Sequence, residues 1–245
     1  MPNRFIAISC DVLFREVCLC ASKSKNIVDV LFKNKGLHDL GTARMSGELQ
    51  IVINQIDCCK YDAILLGYGL CNNGIVGLHA PIPIVVPKAH DCITLLMGSK
   101  EKYASYFAKN PGTYYYTSGW LERGKGEVDG TVMQQLGIGK TYDEYVEEYG
   151  EENAEYLISM LGNWVTNYSK ATFINNGIGD VEDNIEKSKA IAEQNNWEYE
   201  EVEGNISLIE RLLEGEWNEE DFLVIPPNHK IVATNDAGII SYAPL

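Results

Sequence analysis

The chain has no apolar run near the roughly 20 residues that a membrane helix needs. Its amino-terminal stretch MPNRFIAISCDVLF is too short in hydrophobic residues for a secretory leader and lacks a small-residue cleavage site. A cytoplasmic protein is therefore expected. Basic residues are scarce: 20 Lys and Arg against 35 Asp and Glu leave a net charge of −15. Nucleic acid, anionic membrane surfaces and polyanionic substrates are excluded as default partners, because each is repelled at long range. A small-molecule substrate is the expected partner. No Cys-x-x-Cys knuckle occurs, and no P-loop lysine and hydroxyl follow a glycine-rich turn. Seven cysteines, an odd number in 245 residues, do not read as a secreted disulfide framework. Reduced thiols serving as core residues, nucleophiles or metal ligands are expected instead. Disorder is excluded as well, since 45% hydrophobic residues with 10% aromatic suffice for a sizeable core.

What is present centres on Leu65 to Cys92, LLGYGLCNNGIVGLHAPIPIVVPKAHDC. Two apolar strands each run into a polar segment that carries a thiol: Cys71 after AILLGYG, and His90-Asp91-Cys92 after PIPIVVPK. The opening strand RFIAIS runs into Cys10 in the same way. In an open parallel sheet, ligands bind outside the carboxyl ends of the strands, so thiols placed there from separate strands can converge.

Strands are expected at Arg4–Ser9, Ile27–Phe32, Tyr61–Tyr68 and Ile82–Val86. Asp11 is expected to cap a helix over Val12–Cys20, and helical spacing of Met45, Leu49, Val52, Ile53 and Ile56 marks another. One helix is expected around Ile93–Lys109, then a tyrosine-rich strand in Pro111–Trp120. The segment 121–168 reads as a connection followed by an acidic helical region. Beyond it come a strand at Ala171–Asn175, a helix through Asn195, a strand at Trp197–Val202, a capping box Ser207-Leu208-Ile209-Glu210 opening a helix stopped by Gly215, and a strand at Phe222–Ile225. The pattern predicts an α/β fold of two similar Rossmann-like lobes with mainly parallel sheets, residues 1–120 and 169–245, and an interlobe cleft.

Any single thiol reads as core, and Cys18, Cys20, Cys58 and Cys59 are so assigned. Cys10, Cys71 and Cys92 share one slot past a strand end, and three thiolates suit zinc or an iron–sulfur cluster. Three protein ligands leave one coordination position open to activate a water or a substrate. His90 is read as a ligand beside Cys92, as a general base whose ring Asp91 orients, or as a loop histidine bonded to backbone. Metal-free catalysis by Cys71 or Cys92 with His90 as base is a further reading. His229 has a similar placement after Pro226-Pro227, whereas His38 and His79 follow no pattern.

The glycine-rich turn, with Gly67, Gly69, Asn72 and Gly74, follows a strand, so its amides could cradle an anion beside Lys88. Its spacing G-x-G-x-x-x-x-G is not the dinucleotide fingerprint. Equally, the glycines let the backbone turn tightly and bring Cys71 close to a ligand. Tyr114, Ser118 and Trp120 are candidates to line the cleft, or packing residues on a strand.

Together YGLCNNGIVGL, VPKAHDCITLLMGS, PGTYYYTSGW and the early strand cysteine resemble an uncharacterised family of anaerobic bacteria and methanogens, catalogued as a domain of unknown function. Its members are often encoded beside corrinoid-dependent methyltransferases. The resemblance runs through most of the chain, weaker in the acidic region and at the carboxyl end, and Lys88 stands where relatives tend to have arginine. It implies anaerobic one-carbon or methylated-compound metabolism, with a corrinoid protein or methyltransferase as partner, and it marks the Cys71 and His90-Asp91-Cys92 loops. One enzyme picture resembles the zinc centre of thiol methyltransferases. A second resembles quinolinate synthase, where three distant cysteines hold a four-iron cluster with one open iron. A third is an accessory protein that binds a metal, corrinoid or methylated ligand, although the corrinoid signature D-x-H-x-x-G is absent.

Overall fold

The continuous apolar runs in RFIAISC and AILLG put apolar side chains on both faces of a sheet, which requires cover on both sides. The computed structural model describes residues 1–123, 146, 150–151 and 168–245. In it β1 (Arg4–Cys10), β2 (Ile27–Lys33), β3 (Ala63–Gly67) and β4 (Ile84–Pro87) form a parallel sheet in the order β2-β1-β3-β4. Helix α1 (Phe14–Lys23) returns the chain from β1 to β2, and α2 (Thr42–Asn54) carries it back across β1 to β3. The direction of winding therefore reverses between β1 and β3.

Ile6, Ile8, Cys10, Ile64, Leu66 and Tyr68 pack with Met45, Leu49 and Ile53 of α2. Phe5, Ala7, Ala63 and Leu65 pack on the opposite face with Val17 and Cys20 of α1. Next come α3 (Cys92–Met97) and α4 (Lys100–Lys109). A single helix was expected here, but Gly98 adopts φ 76° and closes α3, while Ser99 accepts hydrogen bonds from the amides of Glu101 and Lys102 and starts α4.

A second parallel sheet, β5-β6-β7, combines β5 (Thr113–Tyr116), β6 (Lys170–Asn175) and β7 (Glu198–Glu203). After β5 comes α5 (Ser118–Glu122), and α6 (Val181–Gln194) links β6 to β7. Then α7 (Ser207–Glu214) leads to β8 (Phe222–Ile225), which pairs antiparallel with β4. Hence β5, from the first half of the chain, joins the second sheet, and β8, from the second half, joins the first. A hairpin of β9 (His229–Ala233) and β10 (Ile240–Pro244) lays Ile231, Ile239 and Ile240 onto the α2 face.

Two expected caps are replaced by other contacts. The Asp11 carboxylate accepts from the Lys35 amide at 2.8 Å, and the residues after Cys10 make a 3-10 turn, Asp11–Leu13, before α1. Ser207 is the first residue of α7 rather than its cap, its amide donating to the Asn205 side chain at 2.8 Å, while Gly215 ends the helix at φ 77° as expected. Most of the expected connection and acidic helical region lies outside the described residues. Among those described, no helix is long and apolar enough to cross a membrane.

The segments that follow β1 and β5 meet. A Cβ on Gly119 of α5 would lie 1.8 Å from the Val12 carbonyl oxygen, so backbone abuts backbone there. Gly119→Ala is expected to cost about 3 kcal/mol or more, the upper range for overpacking, because neither chain can yield without moving the turn after Cys10. Denaturant unfolding checks this. On α1, Glu16 is 1% exposed with Oε2 unpartnered among the described residues. Burial pushes its carboxyl up from 4.5 to about 7, with Glu122 adding to the rise. The neutral acid is the form the fold accepts, so stability is full below about pH 4.5 and falls as pH rises through 7. A rise of that size corresponds to about 3 kcal/mol at about 1.4 kcal/mol per pH unit. Glu16→Gln should remove most of this slope, read as unfolding free energy at about pH 5 and pH 8.

Candidate functional site

The winding reverses between β1 and β3, and the region above their carboxyl ends is where open α/β sheets bind ligands. Cys10 is the last residue of β1, Cys71 lies four residues past β3, and Cys92 opens α3 after β4. Ladder-like bonds hold the β3 and β4 extensions side by side: the Leu70 amide donates to the Ala89 carbonyl at 2.7 Å and the Cys71 amide to the His90 carbonyl at 2.8 Å. Cys10 and Cys71 are buried within the α2-side core, and Cys92 packs against both cores.

The glycines act by close approach. A Cβ on Gly67 would fall 2.3 Å from Ser9 Oγ, one on Gly69 2.6 Å from the Asp91 amide nitrogen, and one on Gly74 2.2 Å from Met45 Sδ. Each therefore lets one segment lie directly on another. Cys71, Asn72 and Asn73 take φ 49°, 53° and 65°, three consecutive non-glycine residues in the left-handed region. The Asn72 carbonyl accepts from Thr42 Oγ1 at 3.0 Å. The amides of Gly74, Val76, Gly77 and Leu78 donate to the carbonyls of Cys71, Asn73, Ile231 and Ile75, so these four are not available to an anion. Lys88 Nζ donates to the Glu219 carbonyl at 2.7 Å, in the approach to β8.

Burial, then the charge of Cys10, raises Cys71; burial, then Cys71, Asp91 and Cys10, raises Cys92. Burial pushes Cys10 itself up to about 12, opposed in part by the Val12 amide. Buried thiols of this kind stay protonated and unreactive at neutral pH, which argues against metal-free nucleophilic catalysis. Among the described residues no three His, Cys, Asp or Glu side chains form a ready metal-binding group. The thiols lie at or past three adjacent strand ends and do not form a closed coordination shell.

His90 is exposed and lines a cavity of about 370 Å³ with Thr94, Lys100, Tyr103 and Phe107. Asp91 is committed elsewhere: Oδ1 accepts from the amides of Ile93 and Thr94 at 3.0 and 3.3 Å, capping α3, and Oδ2 accepts from the Tyr103 hydroxyl at 3.1 Å. No hydrogen bond joins it to the His90 ring among the described residues. His229 sits on the hairpin with its ring against Tyr242 and Nδ1 3.0 Å from the Pro227 carbonyl. Trp120 packs against the Cys10 core beneath the Lys35 ammonium, 4.2 Å from its ring centre, whereas Tyr114 packs on Trp197 and Ser118 donates to the Ile178 carbonyl.

Two residues without a sequence pattern join the thiols. His38, in the turn after β2, places Nε2 3.9 Å from Cys10 Sγ. For bonds of about 2.3 Å to sulfur and 2.0–2.1 Å to nitrogen, two ligands of one tetrahedral zinc lie about 3.6 Å apart. The pair is therefore near ligand spacing. The available signal was positional, since His38 follows a strand end as the three thiols do. Tyr68, just past β3, is 1% exposed, its hydroxyl has no hydrogen-bond partner among the described residues, and it interacts electrostatically with Cys10, Cys71 and Asp11.

Neither the curated proteins nor the solved structures contain a match to this chain. One family model, described as a protein of unknown function (DUF1638), matches residues 32–213, from the end of β2 to α7 and across the turns of His38, Cys71 and Cys92. With that span covering most of its length, the chain belongs to the DUF1638 family.

Proposed function

We propose that Cys10, Cys71 and Cys92 hold a soft metal centre, an iron–sulfur cluster or a zinc ion, and that a substrate is activated at the metal's open position. On this reading the protein is a metal-dependent enzyme of anaerobic one-carbon or methylated-compound metabolism, working in a cleft between two related α/β units. What supports this reading is that the three thiols sit at or past three adjacent strand ends, beside the reversal of winding, and that a charge on Cys10 would raise Cys71 and charges on Cys71 and Cys10 would raise Cys92. Soft sulfur selects zinc and iron over magnesium or calcium. A bound cation offsets the burial that keeps these thiols protonated, and His38 is positioned beside Cys10 to accept its proton. The metal supplies Lewis acidity, and the chain supplies a dry, shaped site.

A second reading is an accessory protein that binds a metal, corrinoid or small methylated ligand for a partner methyltransferase. It is favoured by one observation: both oxygens of Asp91 are used in α3 and by Tyr103, which leaves His90 without an orienting carboxylate. Turnover would separate the two readings.

Anaerobically prepared protein is expected to carry iron with acid-labile sulfide, and a brown colour lost in oxygen, or else colourless stoichiometric zinc. Cys71→Ser should lose most of that metal. Equal metal in parent and variant would remove Cys71 from the site, and metal-free parent protein would end the proposal. Metal binding must also displace thiol protons, so apparent affinity should climb with pH, by roughly tenfold per pH unit for each proton released. Competition titrations between about pH 6 and pH 8 measure this slope, and a flat profile would count against thiolate ligation.

A further inference from the structure

Tyr68 carries a hydroxyl that packing does not explain. Register pairs Ser9 with Gly67, so the next residues, Cys10 and Tyr68, lie side by side on neighbouring strands. Both belong to the core on the α2 face. The phenol is almost wholly buried and its hydroxyl is unpartnered among the described residues. A phenylalanine would fill the same space without leaving a buried donor unsatisfied, and such groups are rare in native proteins unless a water, ion or ligand meets them. The flanking glycines, Gly67 against Ser9 and Gly69 against the Asp91 backbone, hold Tyr68 in a segment that has little room to turn away.

We infer that the Tyr68 hydroxyl is the site's ligand-facing hydrogen-bond donor, and that the group it meets is an anionic acceptor, such as a carboxylate, alkoxide or thiolate oxygen or sulfur, bound at the open position of the metal. The inference rests on the thiol-metal reading above. It assigns Tyr68 a binding role and the substrate an electron-rich atom at the reacting end. A phenol donates one hydrogen bond and carries no charge at neutral pH, so it selects an acceptor without competing for the metal.

Tyr68→Phe tests this with two readouts. In metal-free protein the variant should melt at the parent's temperature or above it, because it removes an unsatisfied hydroxyl. A fall of more than roughly 4 °C, about 1 kcal/mol or more in a domain of this size, would mean the hydroxyl already has an internal partner, and would overturn the inference. In cobalt(II)-loaded protein, azide binding is followed through the visible cobalt bands. Parent and variant should bind equal cobalt, and the variant should bind azide roughly tenfold or more weakly, the loss expected for a hydrogen bond to a charged group. Equal azide affinity would overturn the role of Tyr68 and leave the metal site standing. Cobalt-loaded parent that binds no azide would overturn it too, by removing the open position. Parent protein that binds no cobalt would instead overturn the single-ion form of the thiol-metal reading, and this inference with it, while the cluster form is decided by the iron and sulfide analysis above.

Discussion

Two backbone hydrogen bonds, Leu70 to Ala89 and Cys71 to His90, continue the pairing of β3 with β4 beyond the strands. The site depends on that extension. Without it, the turns carrying Cys71 and Cys92 would be independent surface loops, each free to present its thiol anywhere. With it, the position of Cys71 is tied to the backbone of the residue two before Cys92. Gly69 permits the contact, because a Cβ would press into the Asp91 amide. Cys10 is brought in by β1, whose final residues lie beside Gly67, and whose following turn is braced by Gly119 of α5, the helix after β5. That helix thus acts on the site through a backbone contact.

How much of this was legible follows from how local each cause is. A continuous apolar run and a polar terminus define a strand end within a few residues, so the shared slot of Cys10, Cys71 and Cys92 could be read directly, and the parallel sheet with it. Gly215 could be read as a helix stop for the same reason. Contacts that depend on distant segments could not. Lys88 looks like a cation beside the glycine-rich turn, but its ammonium is held by the Glu219 carbonyl, 131 residues away. Asp11 looks like a cap, but its carboxylate serves Lys35, 24 residues on. The partner of β8 is β4 rather than a neighbour in sequence, and nothing in FLVI specifies which sheet edge it will join. His38 was passed over because a single histidine in a turn has no period. Only the adjacency of β2 to β1 puts it beside Cys10.

The left-handed turn at Cys71, Asn72 and Asn73 bears on whether the thiols are there for packing. Asparagine tolerates positive φ, but cysteine does so rarely, and each such residue costs of order 1–2 kcal/mol relative to a right-handed path. A buried thiol placed only to fill space would sit as well on an unstrained residue. Here the strained conformation is held from several sides: by the Cys71 amide on His90, the Gly74 amide on the Cys71 carbonyl, and Thr42 on the Asn72 carbonyl. The same turn buries a sulfur near the Tyr68 phenol, whose hydroxyl is unpartnered among the described residues. Strain, desolvation and a donor unpartnered among the described residues all act against stability at one point above the β1/β3 reversal, opposed by the apolar burial of Cys10, Cys71 and Tyr68 in the α2-side core. On the reading proposed above, a bound ligand would act in the same direction, satisfying the donor and offsetting the desolvation of the thiols.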